Sequence, residues 1–326
     1  MPIIDFHNHV YPPEYVAAIQ AGPSAYKVTF DAEGNPVLHS PGDYNILVPG
    51  HRLIEFRKTV LEQTGVDQQV ISLTAPGTLI ETPQRAVELS RLVNEAFAKI
   101  QREHGGQFVA LATLPLNHPQ AAAVEFERAM TELGLKGAAI YSNVNGVPLS
   151  DRRFWPLYEK ADHLGAVFFI HPTYPAGVEA MLDYMLMPLV GFLADTTLAA
   201  ASLVFSGVVE QFPNVKWVLG HLGGMIPYIA ERLDRGYEAF KPCRENIRRP
   251  PSEYLKNFYY DSVNFDVKAL QLAIDFAGTQ HVLAGSDYPH QIGSLEKMLS
   301  SIDQLNVTAS QRAGILGENT ARLLGL

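Results

Sequence analysis

A single cysteine, Cys243, in 326 residues excludes an intrachain disulfide. That scarcity fits a reducing compartment, and the chain is expected in the cytoplasm. Positive charge is also short: 25 Lys and Arg stand against 34 Asp and Glu, a formal net charge of −9. No basic field exists to steer the chain onto a phosphate backbone or an anionic lipid surface, so neither nucleic acid nor membrane is an expected partner. No GxxxxGK[ST] or GxGxxG pattern occurs, which leaves a nucleotide cofactor without support. The opening MPIIDFHNHV carries ionisable residues where a signal peptide needs an apolar core. The most apolar stretch, Met185 to Phe205, is interrupted by Asp195, Thr196 and Thr197. It reads as a buried helix rather than as a membrane span of about 20 apolar residues.

What is present is a repeat. Short runs rich in β-branched and aromatic residues recur at Ile3 to His7, Gln69 to Ala75, Phe108 to Leu114, Lys136 to Tyr141, Ala166 to His171, Val215 to Gly220, Phe258 to Val263 and His281 to Gly285. Longer segments of helical periodicity lie between them, among them Pro83 to His104, Pro119 to Leu133, Asp151 to Leu164, Leu189 to Gln211 and Ile226 to Phe240. Strand–helix–strand alternation implies parallel pairing, because each crossover returns the chain to the same edge. Alternation alone fits an open sheet as well as a barrel. Ionisable residues decide for the barrel: they sit just past the carboxyl ends of strands 1, 5, 6 and 8, which are remote in an open sheet and converge at a barrel mouth. The expectation is one (β/α)₈-barrel domain spanning residues 1–326. Residues from about 12 to 50 break the repeat, and YKVTF, AEGN and PVLHS read as a small β-hairpin inserted after strand 1. Near the end, Thr308 and Gln311 have the spacing of a capping box.

Asp5-Phe-His7-Asn-His9 closes the first strand. Side chains alternate along a strand, so His7 and His9 point to one side and can converge on one ion, with Asp5 available as a supporting hydrogen-bond partner. Alone, such a pair is equally a polar strand end. Its position changes that, because His171 ends the strand AVFFIH, His221 follows VKWVLG, and Asp287 follows VLAGS. A carboxylate leaving a buried strand needs a charged partner, which a metal would supply. The assignment is His7, His9, His171 and Asp287 as ligands of one divalent ion, zinc with manganese as the alternative, leaving an open position for water or substrate. His221 is the acid/base residue, since its ordinary pKa lies near neutrality. His221 and Asp287 could exchange roles, and all five groups could coordinate. No bridging carboxylate or lysine stands at the end of the fourth strand, where Tyr141, Ser142 and Asn143 lie, so the centre is read as mononuclear.

Other residues carry less. Arg52 is the candidate to clamp a substrate carboxylate, whereas Arg57 is expected on a solvated helix face. Arg235, Arg244, Arg248 and Arg249 form a basic patch for a subunit contact or for solvent. His290 could touch substrate. His39, His51, His104, His118, His163 and His281 receive no role, and Cys243 is read as inert.

The motifs DFHNH, FFIHP, LVGFLADTT, SGVVEQFPNVKWVLGHLGG and VLAGSDYP together resemble the amidohydrolase superfamily, in the branch of nonoxidative decarboxylases that contains aminocarboxymuconate semialdehyde decarboxylase. The resemblance runs from Ile3 to about Leu324. It implies a distorted barrel, a mononuclear site that is usually zinc, and loss of CO₂ from an unsaturated or aromatic carboxylic acid without an organic cofactor. It carries His7, His9, His171 and Asp287 over as ligands and His221 as the catalytic histidine, and implies a homodimer; the catalytic pair is taken as His221 with Asp287. Tyr184-Met185-Leu186-Met187-Pro188 departs from the tryptophans found there in that enzyme. The alternative activity on the same five residues is hydrolysis of a lactone, amide or similar bond, with water as nucleophile.

Overall fold

The chain is described here in a computed structural model over residues 2–40 and 43–326. It opens on β1 (Ile4–His9), followed by the helix Pro13–Ala21 and an antiparallel meander of β2 (Lys27–Phe30), β3 (Pro36–Ser40) and β4 (Asp43–Ile46). The expected inserted hairpin is therefore three-stranded. Its third strand, paired Val37 with Ile46 and Leu38 with Asn45, is too short and too mixed in polarity to stand out in sequence.

After the insertion come β5 (Gln68–Ser72), β6 (Phe108–Ala110), β7 (Ala112–Thr113) and β8 (Ala138–Tyr141), then a two-strand ribbon of β9 (Asn143–Val144) and β10 (Val147–Pro148). The remaining strands are β11 (Val167–His171), β12 (Lys216–Leu219), β13 (Tyr259–Asp261) and β14 (Val282–Leu283). Each strand-like run of the sequence lies on one of these, the Phe108 run being divided between β6 and β7. The parallel order is β1-β5-β6 and β7-β8-β11-β12-β13-β14. At the division Leu111 donates its N–H to Ile71 O while Ala112 donates to Gly137 O, so the chain hands over from one neighbour to the next. Backbone bonds also tie the last strand to the first: Phe6 N–H to Ala284 O, Asp287 N–H to His7 O and His9 N–H to Tyr288 O, at 2.8, 2.8 and 2.9 Å. This is the (β/α)₈ arrangement.

Period-two alternation sorts the side chains. In β11, Val167 and Phe169 join an inner apolar cluster with Phe6, Val70, Leu111, Val218 and Leu283, while Phe168 and Ile170 pack outward against the helices. His171 continues the inner parity and stands above that apolar floor. At the other end Leu323 and Leu324 of the terminal helix Asn319–Leu324 close it. The Thr308–Gln311 capping box forms, with bonds of 2.9 and 3.3 Å.

The apolar stretch from Met187 is a helix on which the burial expectation holds for one face only. Met187–Phe205 is long and apolar enough by composition to cross a membrane, and 44% of its most apolar window is buried. Leu189, Val190 and Leu198 are exposed. Asp195 on its inner face accepts hydrogen bonds from the Ser142 hydroxyl and from Asn143 Nδ2, which fixes the helix over the carboxyl ends of the strands.

Candidate metal centre

β1 carries a register irregularity between Asp5 and Asn8; His7 lies within it and His9 just past it, and both turn to the same centre. Their Nε2 atoms lie 3.0 Å apart. Asp287 Oδ1 is 3.1 Å from His9 Nε2 and 3.3 Å from His7 Nε2. His171 completes the group, and one ligand atom from each of the four lies within 4.8 Å of the others. The second nitrogen of each imidazole is engaged: His7 Nδ1–H donates to Asp261 and His171 Nδ1–H donates to Pro172 O. His9 Nδ1 lies 3.3 Å from Ser72 Oγ, which can accept its proton. Each ring thus turns its Nε2 lone pair to the centre, the orientation that outer hydrogen bonds impose on metal-binding histidines. His171 Nε2 is buried without a hydrogen-bond partner. Such an orphan costs about 1–3 kcal/mol, and a cation among four converging donors removes that cost. The residues fit one divalent ion.

Backbone strain concentrates here. Asp287, His221 and Leu222 take φ of 57, 52 and 56°, a left-handed conformation that costs a non-glycine residue about 1 kcal/mol or more. Gly224 follows, and a Cβ on it would stand 2.2 Å from Leu193 O; the GHLGG turn needs its glycine to approach the neighbouring helix. The bend is held by Asp261, whose carboxylate accepts the N–H groups of His221 and Leu222 at 2.9 and 2.8 Å. It places His221 Nε2 3.7 Å from Asp287 Oδ2. His221 Nδ1 has no hydrogen-bond partner.

Burial sets the charge states. It opposes charge on His7, but Asp261 and Asp287 outweigh it and raise the pKa to about 10. Burial pushes His9 and His171 well below the usual histidine value. It also acts against the Asp287 anion, which the surrounding imidazoles of His221, His7 and His9 nevertheless hold well below the ordinary carboxylate range.

The centre opens into a cavity of about 490 Å³. His171, His221 and Asp287 form its base. Met187, Leu189, Phe192 and Ile292 supply an apolar wall, and Tyr44, Asn45, His51, Thr74, His290 and Gln291 are among the polar groups around the rest. Thr74 and Ala75 belong to a loop whose carbonyls are clamped by tyrosines: Tyr141 donates to Thr74 O, Tyr11 to Ala75 O, Tyr26 to Pro76 O and Tyr15 to Gly77 O. Among the described residues the cavity lining includes no Lys or Arg.

A family model described as Amidohydrolase matches residues 4–326. The chain belongs to this amidohydrolase family. It is 35% identical over 272 residues to 2-amino-3-carboxymuconate-6-semialdehyde decarboxylase of Dictyostelium discoideum, covering 82% of this chain and 75% of that protein. It is 29% identical over 295 residues to 6-methylsalicylic acid decarboxylase of Penicillium expansum, covering 89% and 86%. The crystal structure of 5-carboxyvanillate decarboxylase from Sphingomonas paucimobilis superposes with a TM-score of 0.88 at 26% identity, over 100% of this chain and 99% of that one.

In this amidohydrolase two sequence expectations change. Arg52 does not line the cavity; its guanidinium donates to Leu47 O and Asn35 Oδ1 at 2.9 and 3.2 Å and fastens the insertion. Arg57, expected in solvent, is fully buried. It donates to His9 O, Gly50 O, Asn8 Oδ1 and Gln69 Oε1, and stacks over Tyr288 with its carbon 4.9 Å from the ring centre. Helical periodicity on IEFRK does not reveal a face turned to β1. Asp261 is the residue that sequence reasoning missed. Its signal was there, an acidic residue closing the apolar strand FYYD, the feature that singled out Asp287.

Proposed function

We propose that this amidohydrolase is a metal-dependent nonoxidative decarboxylase that removes CO₂ from an aromatic or unsaturated carboxylic acid. The carrying observation is the cluster of His7, His9, His171 and Asp287 at the base of a largely apolar cavity, with His221 beside it. The names of the relatives support it, each being a decarboxylase of a conjugated acid.

His7, His9, His171 and Asp287 would hold one divalent ion, zinc or manganese by donor type. When bound, that ion supplies Lewis-acid polarisation of a substrate oxygen. His221 is the proton donor: the C–CO₂ bond breaks, its electron pair stays on the substrate carbon, and that carbon takes the proton. Asp287, with Oδ2 3.7 Å from His221 Nε2, is the carboxylate beside that donor. Phe192 and Met187 set an apolar wall beside the departing carboxylate, which favours its loss as neutral CO₂. A cytoplasmic homodimer is the setting we infer, supported by the lone free thiol and by exposed apolar side chains on the Met187–Phe205 helix and, at Tyr228, on the adjacent helix Ile226–Ala239.

The test is headspace CO₂ from metal-loaded protein given benzoic, salicylic and muconate-type acids. Release from at least one, abolished by chelation and restored by metal, is expected. Uptake of water with the carboxyl intact, on esters or amides instead, would replace this reading with hydrolysis.

A further inference from the structure

Three imidazoles around the cavity keep nitrogens that are buried and without a hydrogen-bond partner: Nε2 of His171, Nδ1 of His221, and both Nδ1 and Nε2 of His51. The first belongs to the metal cluster and the second to the proton donor. His51 belongs to neither. It sits in the short helix Pro49–Arg52 at the end of the insertion, 2% exposed. Backbone bonds fix it, from its own N–H to Val48 O and from the N–H of Tyr11 to its carbonyl, at 2.9 and 2.7 Å. Ring contacts of 5.6 Å to Tyr11 and 5.1 Å to His290 hold the imidazole, and His290 in turn stands 5.1 Å from His9. His51 is thus two ring contacts from the metal cluster, on the same cavity.

A buried polar side chain without partners is a standing cost that a leucine in the same place would not carry. The geometry points to His51 as the specificity residue of a polar subsite, where its imidazole hydrogen-bonds an uncharged hydroxyl on the substrate ring while the substrate carboxylate lies at the metal cluster. A neutral imidazole offers one donor and one acceptor, the complement of a hydroxyl, which offers both. The cavity lining includes no Lys or Arg among the described residues, so a second carboxylate at that place would be desolvated without a counter-charge. The ligand class is accordingly a hydroxylated aromatic monocarboxylic acid. This rests on the decarboxylase reading for turnover, but its binding arm does not.

The experiment compares metal-loaded wild type with His51→Leu and His51→Gln. Each is titrated calorimetrically with benzoate and with 2-, 3- and 4-hydroxybenzoate, and assayed for CO₂ release on the same acids. At least one hydroxybenzoate should bind wild type more tightly than benzoate by about 10- to 100-fold. His51→Leu should abolish that preference and leave benzoate unchanged, with the loss in turnover appearing in KM, and His51→Gln should restore part of it. Unliganded His51→Leu should melt at or above the wild-type temperature, since it removes an unsatisfied group. The proposal is overturned by a hydroxyl preference that survives in His51→Leu, by no preference in wild type, or by a lowered melting temperature, which would make His51 structural. If no acid releases CO₂ yet the His51-dependent preference is measured, the decarboxylase reading fails and the subsite stands.

Discussion

The buried carboxylate of Asp261 accepts the Nδ1 proton of His7. The same group accepts the backbone N–H of His221, Leu222 and Val263, so one side chain fixes both the tautomer of His7 and the bend that presents His221. Asp261→Asn keeps the volume but faces these N–H groups with one acceptor fewer. Metal affinity should fall about 10- to 100-fold, read by competition with a chromophoric chelator. An unchanged affinity would show that the ring of His7 is oriented without help.

Arg57 satisfies acceptors on β1, β5 and the insertion at once. Arg57→Met leaves Asn8, Gln69 and two carbonyls unpaired, and should lower the stability of unfolding by about 3–5 kcal/mol. Arg57→Lys should recover little, because an ammonium lacks the planar fork that reaches partners on three segments. Urea midpoints of both variants decide the matter; a shift within about 0.5 kcal/mol is the behaviour of an exposed arginine.

How far these features were legible in sequence follows from the range of the forces behind them. The strands and the clustering of four candidate ligands were readable because period two and strand ends are local, and a barrel rule converts position along a strand into position in space. His7, His9, His171 and Asp287 meet as that rule requires. Arg57 and Arg52 exchanged fates because nothing local distinguishes a guanidinium that docks on β1 from one that reaches solvent. Asp261 was overlooked because no histidine neighbours it in sequence; its partners His7 and His221 are distant along the chain. The third strand of the insertion was illegible for a related reason, since an edge strand of four residues leaves no periodic trace.

Asp5, two residues before His7, accepts hydrogen bonds from Gln69 Nε2 and from the N–H and hydroxyl of Ser286. Burial nonetheless outweighs these bonds and raises its pKa from 3.8 to about 6. The folded protein holds this proton more tightly than the unfolded chain. The contribution to stability is therefore complete below about 4 and is lost as pH rises through about 6, a swing on the order of 3 kcal/mol. Asp5→Asn does not titrate, so the stability difference between wild type and variant should shift against wild type across that interval. Parallel curves for the two proteins in urea unfolding at each pH would show that Asp5 is not held protonated.

His7 is raised to about 10 with burial opposing and Asp261 and Asp287 prevailing. Metal must displace that proton, because only the neutral ring has a lone pair to give. Apparent metal affinity should climb about tenfold per pH unit below that value, with one proton released on loading. Calorimetric titration in buffers of different ionisation enthalpy counts the protons; a count of zero would mean that His7 does not bind through Nε2.

His221 Nε2 stands 3.7 Å from Asp287 Oδ2, and the residue shares no position in the four-member ligand group. If His221 only filled space, His221→Asn would change little. As proton donor it should be replaceable for metal binding and irreplaceable for turnover: bound metal stays at one per chain by atomic emission, while CO₂ release falls by about 10²- to 10⁴-fold, mainly in kcat. Solvent deuterium sharpens the distinction. Incorporation of one deuteron at the carbon that lost CO₂ should slow in the variant in step with CO₂ release, whereas loss of metal together with activity would make His221 a ligand and leave the proton donor to be sought elsewhere on the cavity wall.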